Sequence, residues 1–344
     1  MKDLQASSPS EGFMSAKNEF CKMALALGGE LTQSSSFGKG PNGEDLTQDF
    51  AFFRTPGATR TFMHFSGVHG VEGWLGSHIQ RQILQQSEWV AKAKTAGVNL
   101  IFVHAFNPYG MAWQRRVNSA NVDLNRNGLD FSDPLVMTRF AVQPWQVGLW
   151  ESMHTPALFW KKALSQLGKV PFGLLAQTIA GGQFHNPRGI FFGGFSTQAE
   201  LQSVARQIQK VIAGKKEVVV LDVHTGLGKF GQEMFFRAAL PDRNPADQNR
   251  KAELPASSQE PHYSARGELS LYFAREFPEL EWSYWIQEFG TWPAPYVLYR
   301  LLKDNQHSNL GSLSTFFPKS QWWLENTTKQ GLARFATVLE QMIA

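Results

Sequence analysis

His69-Gly-Val-Glu72 sets an imidazole and a carboxylate three residues apart, close enough for both to face one point on a turn or helix start. Asp222-Val-His224 supplies a second histidine at the end of EVVVL, an apolar run of strand length. Alternation along a strand turns Asp222 and His224 to the same side. Two imidazoles and one carboxylate make up the protein ligands of a catalytic zinc site, whose fourth position is kept for water or substrate. Asp222 would then stand behind a ligand and orient it. Taken alone, each piece has a plainer explanation, a hydrogen-bonded core histidine or a solvated Glu; only with a third donor does the pair become a metal candidate.

A second group of chemistry-bearing residues follows the turn Asn107-Pro-Tyr-Gly110. Arg115 and Arg116 lead into Asn121-Val-Asp-Leu-Asn125-Arg126-Asn127. The planar arginine fork grips a carboxylate through two hydrogen bonds, so this loop suits a carboxylate or an oxyanion. The alternative is a surface loop whose arginines pair with Asp123, Asp130 and Asp133. Glu288 ends a strand candidate, Ser283 to Phe289, and could be a base or the buried partner of an arginine. Gly182 to Gly194 is either a cleft wall carrying Gln183, His185 or Arg188, or a structural loop. Gly226-Leu-Gly228-Lys-Phe-Gly231 matches the dinucleotide fingerprint, but QEMFFRAAL after it reads as extended. The helix N-terminus that gives the fingerprint its anion affinity is therefore missing. No Gly-x-Ser-x-Gly elbow, His-Glu-x-x-His helix or P-loop occurs, and Cys21 lies away from every motif.

These groups must be held by something. DFAFFRT and TFMHFSG read as a hairpin about Pro56-Gly57. Leu75, Ile79 and Ile83 recur every four residues and predict a helix after His69. VNLIFVHAF (98–106) and EVVVLDV read as strands buried on both faces. Thr197 with Glu200 forms a capping-box pattern ahead of a helix marked by Leu201, Val204, Ile208 and Val211. Leu332, Phe335, Leu339 and Met342 mark a last helix. The stretch from about 135 to 195 reads as helical insertions and loops around the site. Strands alternating with helices predict an α/β fold: one domain over 1–344, with a central, mixed but mostly parallel twisted sheet and helices on both faces. In such sheets, functional residues gather at the carboxyl ends of the strands, and each candidate here follows a strand-like run.

Composition narrows the function classes. Of 344 residues, 42% are hydrophobic and 18% charged, which excludes a disordered chain. A net charge of +4 is too thin at this length to imply a polyanion, so no nucleic-acid partner is expected. A single cysteine rules out an internal disulfide and a cysteine-based zinc cluster. No apolar stretch is long enough to span a bilayer, and the first twenty residues resemble neither a signal nor a transit peptide, so a cytoplasmic protein is expected.

Together, HGVE, NPYG followed by RRVNSANVDLNRN, DVHTG and EFGT resemble the zinc carboxypeptidase family, in the family's order and spread from residue 69 to 290. The likeness is to a bacterial subgroup related to aspartoacylase- and succinylglutamate desuccinylase-like deacylases. It implies one zinc per chain on His69, Glu72 and His224. It also implies that Asn125 and Arg126 hold a substrate carboxylate, that Arg116 polarises the scissile carbonyl and that Glu288 is the general base. Arg116 stands nearer to Asn125 than in pancreatic-type enzymes, so Arg115 is an alternative. The family's mobile tyrosine has three candidates here, Tyr263, Tyr272 and Tyr284. The expected substrate is a peptide or an N-acyl amino acid with a free carboxylate.

Overall fold

Seven strands form one twisted sheet: β1 (Glu30–Gln33), β2 (Asp49–Phe53), β3 (Arg60–Ser66), β4 (Val98–His104), β5 (Glu217–Phe230), β6 (Glu233–Arg237) and β7 (Glu281–Gly290). Their spatial order is β1-β2-β4-β3-β5-β7-β6. The centre, β4-β3-β5-β7, is parallel; β1, β2 and β6 run antiparallel at the edges. The structure, a computed structural model, describes residues 9–136, 142–240, 264–306 and 313–343. Tyr263 lies outside them.

Period-two alternation divides the core. Ala51, Phe53, Leu100 and Phe102 face one layer, built from the helices Pro9–Ala26, Gly73–Gln85 and Gln321–Ile343. Phe50, Phe52, Ile101 and Val103 face the other, built from the helices Ala199–Ile212 and Leu269–Glu276. The α/β architecture expected from the strand–helix alternation is the one observed. Leu75, Ile79 and Ile83 are all buried, as are Phe335, Leu339 and Met342, so the helical periods predicted the inward faces correctly.

Two local expectations fail. β2 and β3 do not pair as a hairpin: β4 lies between them, antiparallel to β2 and parallel to β3. The turn at Pro56-Gly57 reverses the chain but leaves a strand-wide gap. Thr55 closes it by donating its N–H to Asn99 Oδ1 (2.8 Å) and its hydroxyl to Val98 O (3.0 Å), both on β4. The capping box at Thr197 also does not form. The N-cap is Gln198, and its N–H is satisfied by Asn127 Oδ1 at 2.7 Å, a cap supplied from a distant loop. Glu200 is buried and accepts from Asn118 Nδ2 instead.

The described part of the stretch from 135 to 195 holds three α-helices, Pro144–Glu151, Pro156–Leu164 and Phe172–Ala180, followed by a loop over 181–195, as expected. It forms a third apolar cluster with Val71, Val297, Leu302 and Phe316, so it packs directly onto the His69–Glu72 turn. Gly226 to Gly231 is extended strand and turn running into β6, with no helix behind it, in agreement with the rejected dinucleotide reading. Among the described residues no helix is long and apolar enough to cross a membrane.

Candidate metal centre

β3 ends at Ser66, and the chain turns into His69 and a short 3-10 turn, Gly70–Glu72, which continues as the helix Gly73–Gln85. The arginine loop pins this turn through its backbone. Gly70 N–H donates to Arg116 O (3.1 Å) and Val71 N–H to Arg115 O (2.9 Å). A Cβ on Gly70 would fall 2.3 Å from Gly110 Cα, so this close approach admits only glycine.

The turn delivers Glu72 to the end of β5. Glu72 Oε2 accepts from the Thr225 N–H (3.0 Å) and lies 3.1 Å from His224 Nδ1. Glu72 Oε1 lies 3.0 Å from His69 Nδ1, and the two Nδ1 atoms are 3.1 Å apart. All three side chains are buried, with ligand atoms within 4.8 Å of one another.

Behind each imidazole stands an aspartate. Asp123 Oδ1 is 2.9 Å from His69 Nε2, and Asp222 Oδ2 is 2.9 Å from His224 Nε2. In His69, whose Nε2 is hydrogen-bonded to Asp123, a proton held there leaves the Nδ1 lone pair facing inward, the tautomer that ligation requires. Three such acceptors crowded on one buried point repel unless a cation sits among them. Two imidazoles and a carboxylate fit a divalent transition metal such as zinc.

The ionisation of these groups tells the same story. Burial opposes the charge on Glu72, but His69, His224 and Arg116 outweigh it and hold the carboxyl below its usual range. Asp123 is likewise held well down, by Arg116 first and then His69, against its burial. Burial would depress His224, yet Asp222 and Glu72 raise it well above the usual histidine range. Positive charge at this point is strongly favoured.

Arg116 reaches the centre directly, through Nη1 to Glu72 Oε1 (2.9 Å) and Nε to Asp123 Oδ2 (3.0 Å). Arg115 points elsewhere, its Nη2 3.5 Å from Asn121 Oδ1. Glu288 lies beside His224 in the parallel register of β5 and β7, strands ~4.8 Å apart. Its Oε1 accepts from the Leu227 N–H at 2.8 Å. Burial, then the charge of Glu72, pushes its carboxyl up to about 7.

Arg126 is only 2% exposed, and its fork donates to two main-chain carbonyls, Asn125 O and Ala180 O, each at 2.9 Å. Asn125 Oδ1 accepts from the Leu269 N–H. The structure therefore gathers His69, Glu72, His224, Arg116 and Glu288, and sets Asn125 and Arg126 one layer out. Between the layers lies the Phe191 ring, 5.3 Å from the Arg116 guanidinium and 5.8 Å from that of Arg126. Phe191 has φ +57°, a region bulky residues avoid and one in which strain often marks a functional position.

Tyr284 is fully buried and donates to Asp222, and Tyr272 is packed under the sheet, so neither faces the centre. Gln183 is no cleft-wall residue: its Oε1 accepts from the N–H groups of His185 and Asn186 and braces its own loop. His185 stacks on Trp150. Sequence reasoning offered Asp123 only as a partner for the loop arginines, which its pairing with Arg116 bears out, and missed its place behind His69. The signal was present, since a ligand imidazole needs an acceptor behind it and Asp123 is the one carboxylate between Arg116 and Arg126.

The fold and this centre define an α/β protein with a buried His–Glu–His group that could hold a cation, at the carboxyl ends of a parallel sheet core. The chain belongs to the family described as "Protein of unknown function (DUF2817)", whose model matches residues 10–329. No curated protein matches it. Among solved structures it is similar to a Pseudomonas aeruginosa metallo-carboxypeptidase (14% identity, TM-score 0.45, covering 95% of this chain and 68% of that one). It is also similar to bovine thrombin-activatable fibrinolysis inhibitor (10% identity, TM-score 0.46, 96% of each chain). A third likeness is to a Shewanella amazonensis protein assigned to the succinylglutamate desuccinylase/aspartoacylase family (16% identity, TM-score 0.37, 82% of this chain and 75% of that one).

Proposed function

We propose that this chain is a zinc-dependent hydrolase that cleaves an amide bond next to a free carboxylate, as a metallocarboxypeptidase does, with one zinc per chain on His69, Glu72 and His224. The observation that carries this reading is the convergence of two Nδ1 atoms and a carboxylate on one point, with an aspartate behind each imidazole. Zinc held there would supply Lewis-acid polarisation of a carbonyl and would acidify water. Glu288 has Oε1 occupied by the Leu227 N–H, so Oε2 takes a proton from water and returns it to the leaving amine. Burial, then the charge of Glu72, raises its carboxyl in the metal-free chain, the direction that suits a group that both takes and returns a proton. Arg116 places a fixed cation where oxyanion charge develops. Arg126 and Asn125 receive the substrate carboxylate, which would displace the Ala180 carbonyl from the Arg126 fork.

A second reading, an N-acyl amino-acid deacylase, would use the same group of residues on a smaller substrate. The cytoplasm fits a chain with one cysteine. Metal analysis with a screen of C-terminally varied peptides beside N-acyl amino acids tests the proposal. About one zinc per chain and turnover in either class are expected. Protein that gains no metal on reconstitution, or turns over neither class when zinc-loaded, overturns it.

A further inference from the structure

Beyond Gly226, β5 does something its sequence does not advertise. Gly226 and Phe230 both pair with Gly290 on β7, so residues 227–229 loop out and Phe230 returns to the strand opposite Gly290, two residues beyond Glu288. One end of the loop holds the base, through the Leu227 N–H and Glu288 Oε1. The other end carries an exposed aromatic ring. Phe230 stacks on Trp322 at 6.0 Å and 10°, and lies 5.8 Å from Trp292, which in turn lies 5.9 Å from Tyr296. The four rings are 40%, 57%, 37% and 44% exposed in that order. Single exposed aromatics are common, but a run of four, each in contact with the next, marks a surface that something covers.

The rings are firmly seated. Gly231 N–H donates to Gly290 O (2.9 Å), Asn326 Nδ2 to Gly231 O (2.6 Å) and Trp323 Nε1 to Gly290 O (2.8 Å). A Cβ on Gly231 would sit 2.7 Å from the Trp322 ring, so that ring lies flat against the strand end. The surface is thus preorganised, and it is continuous through three residues with the carboxylate expected to move the proton.

We infer that the aromatic run Phe230, Trp322, Trp292 and Tyr296 is a substrate subsite for a large flat apolar group, so the substrate carries an aromatic acyl group or side chain on the Glu288 side of the scissile amide. The inference rests on the hydrolase reading for the chemistry, but not for the binding. Flat rings offer their faces to another flat ring and bury area at small entropic cost.

The test separates binding from turnover. In chelator-treated full-length protein, N-(2-naphthoyl)glycine and N-acetylglycine are compared by calorimetry and tryptophan fluorescence. The naphthoyl compound should bind about tenfold more tightly. Trp322→Ala and, separately, Phe230→Leu should each reduce that advantage to within about twofold, with circular dichroism confirming the fold. Equal affinities in the unaltered protein, or an advantage that survives both substitutions, overturn the subsite. Zinc-loaded protein that binds the naphthoyl compound yet hydrolyses neither leaves the subsite standing and removes the hydrolase. Hydrolysis of both without an affinity difference does the reverse.

Discussion

Tyr284 donates its hydroxyl proton to Asp222 Oδ2 at 2.8 Å, and the same oxygen lies 2.9 Å behind His224 Nε2. A residue from the interior of β7 therefore sets the position of the carboxylate that orients a metal-type histidine on β5. Because Tyr284 and Asp222 are both fully buried, neither has water to fall back on.

That chain of contacts yields a graded prediction. Asp222→Asn should weaken zinc binding by about 10- to 100-fold, the usual cost of losing a partner behind a ligand. Tyr284→Phe should weaken it in the same direction by less, because the carboxylate remains but is less firmly placed. Competition with a chromophoric chelator reads both. Unchanged affinity in Asp222→Asn would show that His224 is oriented by something else.

Glu288→Gln preserves shape and the bond from the Leu227 N–H while removing the basic oxygen. Zinc content should stay at about one per chain, while hydrolysis drops by about 10²- to 10⁴-fold. Loss of metal along with activity would instead make Glu288 part of the binding site. Full activity would remove it from the mechanism.

How far the sequence discloses these features depends on how local their physics is. The inward faces of the helices follow from a period, and His69, Glu72 and His224 follow from the few residue types that can ligate at strand ends. The β2–β4–β3 order could not be read from the turn at Pro56-Gly57, because a turn reports a reversal and not which strand fills the gap. Asn127 capping a helix seventy-one residues away is equally invisible, since it depends on where two loops meet. Asp123 lay between these cases: its type was suggestive, but its partner stands fifty-four residues off. The looping out of residues 227–229 is not legible, because the spaced glycines Gly226, Gly228 and Gly231 read as a break, whereas the strand resumes at Phe230.

His64 and His104 make a prediction about pH. Both are fully buried in the sheet, and desolvation holds each at about 3. The unfolded chain protonates them near their ordinary ~6.5. Below that pH the unfolded state binds more protons, so this part of the stability is complete above ~6.5 and is lost progressively down to ~3. At pH 5 each histidine costs about 2 kcal/mol relative to pH 7. Asp49 has the opposite sign, since burial raises it to about 6 and acid then favours the fold. The check is differential: urea unfolding of His64→Gln against the unaltered protein at pH 7 and pH 5. The variant should lose less stability on acidification, by about 2 kcal/mol. Parallel curves would mean that His64 is protonated in the folded state.

Arg116 joins the two carboxylates that shape the centre, reaching Glu72 through Nη1 and Asp123 through Nε. A lysine ammonium is a single point and cannot span both, so Arg116→Lys should not behave conservatively. Zinc-loaded Arg116→Lys should lose about 10²- to 10³-fold in hydrolysis if the fork also steadies oxyanion charge. Arg116→Ala leaves the fully buried Asp123 short of its main cation, and stability should fall by about 3–5 kcal/mol in the metal-free protein. Zinc should restore part of that loss by returning positive charge beside Glu72 and His69. Chemical unfolding with and without zinc reads the second effect, and steady-state kinetics the first. An Arg116→Ala protein as stable as the original would mean that His69 alone neutralises Asp123, and an Arg116→Lys protein with undiminished turnover would assign the oxyanion to another donor.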